Sequence, residues 1–313
     1  MSGRLAGRVM PALYGAVEGG GTRFVCAVGT SPSAILDSTV IQTTDPATTI
    51  AECIAFFQQA QATHGPLAAL GIGCFGPLGL RPGAPDHGHV LATPKRGWSG
   101  AAIVDTFANG LGVPVAVDTD VGAAALGEWR FGAGRGVGSL AYVTVGTGIG
   151  GAAVPLDPGF GRLMHAEMGH LPVRRNPLDH HFAGVCPFHG DCLEGLASGP
   201  AVMARWGCKL EELPAGHEGR DLIAGYLGQL AASIALMLSV QRIVLGGGVM
   251  TDTAMLPLVR AATHSCLQDY LPSLKTQQSL DQYVVGPALG TGSAITGALV
   301  MAQEMQGANH VDA

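Results

Sequence analysis

YGAVEGGGTRFVCAV at residues 14–28 has a distant echo, YVTVGTGIGGAAV at residues 142–154. Each copy sets a glycine-rich tight turn between two short β-branched runs, the pattern of paired strands joined closely. Around the first copy, strands are expected at 14–17, 24–28 and 35–41, a helix at 46–61 and another strand at 69–73. Around the second, strands at 140–145 and 152–155 begin a similar meander. The repetition suggests a duplicated unit facing itself across a cleft, and the strand-helix alternation makes the class α/β.

Between and after the copies, a helix is expected at 99–109, a strand at 115–117 and a helix at 121–129 headed by Thr119 and Asp120. Farther on come a strand at 242–245, a helix at 255–267, a strand at 283–285 and a final helix from Ser293. The stretch 222–240 has no charged residue and is long enough to cross a bilayer. Polar residues interrupt it and a strand follows directly, so it reads as a core helix.

The 313 residues suit two lobes with a cleft between them, where small ligands are usually held. Hydrophobic residues make up 47% and charged ones 13%, which favours a large buried core over disorder. A net charge of −6 without a Lys/Arg run argues against nucleic acid or an anionic membrane as partner. Residues 1–11 lack the apolar core of a secretory signal, and seven cysteines are an odd count for a disulfide framework. A cytoplasmic protein with thiols or metal ligands is expected.

Consecutive backbone N–H groups can cradle a phosphate where glycine supplies the unusual φ values. Gly19, Gly20, Gly21 and Thr22 form one such cluster, with Glu18 ahead of it for a magnesium ion and Arg23 behind it for phosphate oxygens. Gly146, Thr147, Gly148, Gly150 and Gly151 form the second. Gly246, Gly247 and Gly248, after a strand, form a third suited to adenosine. Any one of these alone is equally a hairpin turn. The P-loop pattern is missing, and so is a clear dinucleotide fingerprint.

Phosphoryl transfer needs a base within reach of the attacking hydroxyl and cations around the phosphates. VDTDVGAAALGEW at 117–129 offers Asp120 where a strand passes into a small-residue helix; Asp at that place is also an ordinary helix cap. HAEMGH at 165–170 and CPFHGDCLEG at 186–195 bring His170, Cys186, His189 and Cys192, the four N and S donors of a closed structural zinc site. Unrelated thiols beside surface histidines remain the other reading. His165, His180 and His181 read as surface or packing residues, and Lys95 and Arg96 as solvated loop charges, with a ligand contact left open for these two and for Asp118.

These motifs together resemble the ROK (repressor, ORF, kinase) family of sugar kinases over residues 14–305, most of all its bacterial fructokinase branch. EGGGTRF, VTVGTGIGG and IVLGGGVM resemble its two phosphate turns and its adenosine turn, and TDVGAAALGE the segment with the catalytic aspartate. HAEMGH with C-x2-H-x2-C-LE resembles the zinc and sugar signature. Glu18, His189 and TPKRGW at 93–98 suggest the fructokinase branch.

The resemblance implies a two-lobed actin-like ATPase (ribonuclease H-like) fold with a duplicated β-meander/α core. The smaller lobe would be 12–118 with a C-terminal helix near 290–306, the larger 119–289 with a metal-binding loop at 165–194. It further implies ATP with Mg2+, Asp120 as general base, and Glu167, His170 and Glu194 on a hexose, His170 serving zinc and sugar with opposite ring nitrogens. A homodimer is expected on the same ground. Thr119 stands where glucokinase-like members place a sugar-binding Asn, and Gly122 replaces another Asn; these departures leave glucose and mannose open beside fructose. Arg23 replaces a common Lys, and since Arg also pairs well with phosphate the kinase function is expected to survive. The family also holds sugar-responsive repressors, but the few residues before the first strand are too short for a helix-turn-helix head.

Overall fold

The computed structural model describes residues 11–155 and 164–309; the start at 1–10, read above as no secretory signal, lies outside the described residues. The chain falls into two compact units, one running to Asp120 and resuming at Ala298, the other Val121–Gly297.

In the first unit β1 (Leu13–Gly19), β2 (Arg23–Ser31), β3 (Ala34–Gln42), β4 (Leu67–Cys74) and β5 (Val115–Thr119) form one sheet in the order β3-β2-β1-β4-β5. The hairpins β1/β2 and β2/β3 are antiparallel, whereas β1, β4 and β5 run parallel. Parallel neighbours need crossovers, and α1 (Pro46–His64) and α2 (Ile103–Leu111) supply them. Asp45 caps α1 by accepting the Thr48 N–H at 3.0 Å, and Pro46 follows, where a missing N–H costs nothing. The inner face of α1 buries Ile50, Cys53, Phe57 and Ala60 in a core shared with Val17, Leu70 and Ile72.

The expected helix at 99–109 starts later, at Ile103. Gly100 sits at φ +82° and His89 bridges to Ala102, so the chain is still turning there.

In the second unit α3 (Asp120–Phe131) leads to β6 (Leu140–Val145) and β7 (Ile149–Val154). After a long excursion come α4 (Leu193–Ala197), α5 (Gly199–Trp206), α6 (Gly219–Leu238), β8 (Ile243–Gly246), α7 (Met255–Leu267), α8 (Gln277–Tyr283), β9 (Val284–Val285) and α9 (Ser293–Asn309). The sheet order is β7-β6-β8-β9, with β6/β7 antiparallel and β6, β8 and β9 parallel. That repeats β2-β1-β4-β5 in order and direction, so the sequence echo is a duplicated sheet.

Helix α6 is long and apolar enough to cross a membrane, and 56% of its most apolar window is buried. Ile223, Leu227, Leu230 and Ile234 pack in the second unit's core with Val259 of α7 and Ile243 of β8, which accounts for the uncharged stretch from Leu222 to Ala235. Helices α3 and α9 approach at backbone distance. A Cβ on Gly297 would stand 1.7 Å from the Ala123 carbonyl oxygen, and one on Gly127 would stand 2.2 Å from that of Ser293.

Candidate active site and metal centre

Parallel strands end at the same edge of a sheet, and in α/β proteins that carboxyl edge is where ligands gather. In the first unit Glu18 pairs across to Gly73, and Gly73 to Asp118. This row sets two carboxylates on one face with a glycine between them. The next row, Gly19, Cys74 and Thr119, faces the other way. Thr119 is buried and bonds Asp118 Oδ1 through its N–H at 2.6 Å and its hydroxyl at 3.4 Å. One residue on, Asp120 opens α3, so the strand-to-helix handover expected from sequence is where it stands.

Burial, and then the charge of Asp120, push the Glu18 carboxyl up to about 7, with Arg23 pulling the other way. Two carboxylates whose charges oppose each other beside a strand edge are a place where a divalent cation relieves repulsion. Without one, the native protein holds a proton on Glu18 that the unfolded chain, near 4.5, has released. Stability of the ligand-free protein should therefore fall as pH rises from about 4.5 through about 7, because the native state binds more protons over that window. Glu18→Gln should flatten this part of the profile; urea midpoints at several pH values check it.

The turn after β1 is a hairpin closed by the Gly20 N–H on the Arg23 carbonyl at 2.9 Å. Phe75 N–H donates to the Gly19 carbonyl at 2.8 Å and Thr43 N–H to the Thr22 carbonyl at 3.0 Å. The Thr43 hydroxyl donates to the Gly20 carbonyl at 2.7 Å, and Lys95 Nζ to the Gly21 carbonyl. All four carbonyls from Gly19 to Thr22 are thus occupied by donors of the protein. Gly21, Thr22 and Arg23 are exposed, so the turn offers solvent an edge whose negative ends are already neutralised.

Gly19 and Gly20 are needed there for space, whereas Gly21 faces open space. Neither Gly20 nor Gly21 has a left-handed φ; a Cβ on Gly19 would meet Cys74 Sγ at 2.8 Å, and one on Gly20 the Arg23 carbonyl oxygen at 2.9 Å. Only the third turn follows the dihedral expectation, with Gly247 at φ +93° and its would-be Cβ 2.5 Å from Val145 backbone.

In the second unit the turn between β6 and β7 is 146–148, while Gly150 and Gly151 already belong to β7. Gly146 N–H donates to Gly148 at 2.8 Å, and the Gly199 N–H at the start of α5 donates to Gly146 at 2.7 Å. A Cβ on Gly146 would lie 3.9 Å from Gly248 N, so this turn and the third are neighbours. Thr147 is exposed at the tip.

Glu194 reaches the same turn from α4: its Oε2 accepts the Ile149 N–H at 2.8 Å, and a Cβ on Gly148 would come within 2.7 Å of it. The 3-10 turn Met168–His170 lies against β7, where a Cβ on Gly169 would meet the Ile149 carbonyl oxygen at 2.0 Å. Glu194, His170 and the second glycine turn are therefore brought together. Glu167 is exposed at the head of the 3-10 turn, its Oε1 3.5 Å from His165 Nδ1.

His170, Cys186, His189 and Cys192 offer ligand atoms all within 4.8 Å of one another. His170 Nδ1 lies 3.7 Å from Cys186 Sγ and 3.6 Å from Cys192 Sγ, and His189 Nδ1 lies 3.7 Å from Cys186 Sγ. The S–N and S–S edges of a tetrahedron built on Zn–S of about 2.3 Å and Zn–N of about 2.0 Å are roughly 3.5 and 3.8 Å, so the donor set fits zinc. Cys186 and Gly190 exchange two backbone hydrogen bonds, 3.1 and 2.9 Å, and Gly190 at φ +65° reverses the chain so that both thiols face one point. Burial pushes the Cys192 thiol up, and the Cys186 sulfur adds to it. The Cys192 sulfur becomes a thiolate readily only around a cation.

A buried ion pair anchors the excursion carrying these ligands. Asp179 receives both Nε and Nη2 of Arg205 at 3.0 and 2.8 Å and the Tyr226 hydroxyl at 2.7 Å, while the Arg205 guanidinium stacks 3.8 Å from the Phe182 ring centre. The Arg205 side chain also holds the Asp179 carboxyl below its usual range against the opposing effect of burial.

Two residues of consequence were given no such part by the sequence reading. Glu128 of α3 is fully buried, and its carboxylate accepts from Ala133 N–H, Ala288 N–H, Leu289 N–H and the Ser293 hydroxyl at 2.7, 3.1, 2.9 and 2.6 Å. It thereby caps the approach to α9 with a carboxylate of the chain itself. Lys95, read as a solvated charge, is half-buried on the first turn.

The chain is 40% identical over 294 residues to a fructokinase of Zymomonas mobilis, covering 93% of this chain and 96% of the relative. It is 39% identical over 299 residues to a fructokinase of Streptococcus mutans, covering 95% and 99%. Among solved structures, the ROK hexokinase of Thermus thermophilus superposes with a TM-score of 0.71 at 24% identity, over 94% of this chain and 98% of that one. The fold is accordingly the actin-like ATPase architecture. The ROK family model matches residues 14–305, and with that coverage the chain belongs to the ROK family.

Proposed function

We propose that the protein is an ATP-dependent fructokinase that converts D-fructose to fructose 6-phosphate. The observation that carries this reading is the near-full-length likeness to curated fructokinases at 35–40% identity. Glu18, Gly20, Gly21, Thr22 and Arg23 of the first turn, with Gly146–Gly148 and Gly246–Gly248, hold the nucleotide. Glu18 is the carboxylate that would hold magnesium, which when bound offsets phosphate charge. Asp120 accepts the proton of the sugar hydroxyl as that oxygen attacks the γ-phosphorus, the bond to the bridging oxygen breaks, and ADP leaves. Thr119, Glu167, His170 and Glu194 orient the sugar, His170 with the ring nitrogen its zinc-facing Nδ1 leaves over.

Zinc is structural here, since four protein donors complete its tetrahedron and leave no position for a reactive water. A homodimeric, cytoplasmic enzyme is the accompanying expectation. An ATP-coupled assay over fructose, mannose, glucose and N-acetyl sugars should give the highest kcat/KM for fructose. A higher value for glucose or mannose would change the substrate and keep the chemistry. Sugar binding without any turnover would replace the enzyme by a sensor.

A further inference from the structure

The segment TPKRGW, 93–98, marks the chain's resemblance but has no part in the chemistry described so far. It is a built loop. Ser99 Oγ accepts the Thr93 N–H at 3.1 Å and lies 3.3 Å from the Thr93 carbonyl, closing the loop's base. The Trp98 N–H donates to the Lys95 carbonyl at 3.2 Å, across a turn that needs Gly97 at φ +82°.

Trp98 anchors the loop. It is fully buried, its Nε1 donates to the Thr44 carbonyl at 2.8 Å, and its ring stacks on Phe24 at 5.3 Å and meets the edge of Phe75 at 5.2 Å. Phe24 follows the first glycine turn on β2. Phe75 follows β4 and is the residue whose N–H holds the Gly19 carbonyl. The loop is therefore referenced to both sides of the turn, and this placement seats Lys95 Nζ on the Gly21 carbonyl. Arg96, next to it, is exposed and behaves as the solvated charge expected of both.

An ammonium has three donors and no acceptor. One donor is spent on Gly21, which leaves a positive charge and two N–H groups at the exposed edge of a turn whose carbonyls are all occupied. Resting on the kinase reading above, we propose that Lys95 is a further phosphate-binding residue of the transfer site. Its ammonium contacts the terminal phosphate of the bound nucleotide and offsets charge on the phosphoryl group in flight. The flanking carboxylates, Glu18 and Asp120, make such a cation necessary, since they oppose the arrival of an anion and Arg23 is the other cation of the turn.

The test compares Lys95→Met and Lys95→Arg in the full zinc-loaded chain. Calorimetric affinity for the magnesium complex of a non-hydrolysable ATP analogue should fall about tenfold in K95M, with AMP affinity unchanged, and kcat should fall about 10²-fold. K95R should recover much of both, because a guanidinium also pairs with phosphate. An unchanged analogue affinity in a folded K95M would overturn the proposal, as would an equal loss of AMP and analogue affinity, the mark of a merely structural role. The binding arm needs no sugar. An enzyme inert toward every hexose would thus sink the kinase reading while the role of Lys95 is still decided.

Discussion

Asp120→Asn should yield a folded protein whose kcat for sugar phosphorylation is lower by about 10² to 10⁴, the usual worth of a general base. Folding should survive for local reasons. Asn is as good as Asp at the head of a helix. The favourable meeting of a carboxylate with the α3 N-terminus contributes only about 0.3–1 kcal/mol, and its loss is offset by relief of the repulsion that Asp120 exerts on Glu18. That repulsion supplies a second readout. The Glu18 carboxyl, held up partly by Asp120, should titrate lower in the variant, visible as a shift in the pH dependence of stability. Sugar and nucleotide affinities should change little, because a base acts on the transferring proton. Turnover within a few-fold of wild type would remove Asp120 from the role.

Cys192→Ser should abolish stoichiometric zinc and lower the melting temperature by on the order of 10 °C. Structural zinc binding is coupled to folding, with apparent free energies of about 10–16 kcal/mol in small zinc modules. Here the ion pair Asp179–Arg205 already fixes part of the excursion, so only a few kcal/mol of that coupling should appear, at about 2–4 °C per kcal/mol for a unit of this size. The effect should reach function through position: Cys192 precedes α4 by one residue, and Glu194 two residues on holds the Ile149 N–H. A rise in the KM for sugar larger than that for ATP is expected. Elemental analysis of the wild-type protein that found no zinc would overturn the assignment.

The fold was legible where chemistry repeats locally. Alternating β-branched residues around glycines define β1, β2 and β6, and the second copy of the pattern marks the duplicated sheet. The Cys/His cluster was legible because its four members, His170, Cys186, His189 and Cys192, recur within 23 residues. Contacts made far along the chain were not. Lys95 reaches a carbonyl 74 residues away, and Glu128 collects donors from residues 288–293 as well as from Ala133. Neither partnership leaves a mark on its own segment. The helices α4 and α5 went unread because they are short and broken between Ala197 and Gly199 by Ser198, which ends one and caps the other.

The second sheet keeps the strand order of the first, yet the imidazoles, thiols and acids that set it apart hang on the single excursion from β7 to β8. On the proposed reading, acceptor choice is written mainly there, and the handling of the nucleotide at the glycine turns that follow β1, β6 and β8. Substitutions confined to that one stretch of chain should therefore change the preferred alcohol while leaving nucleotide affinity in place.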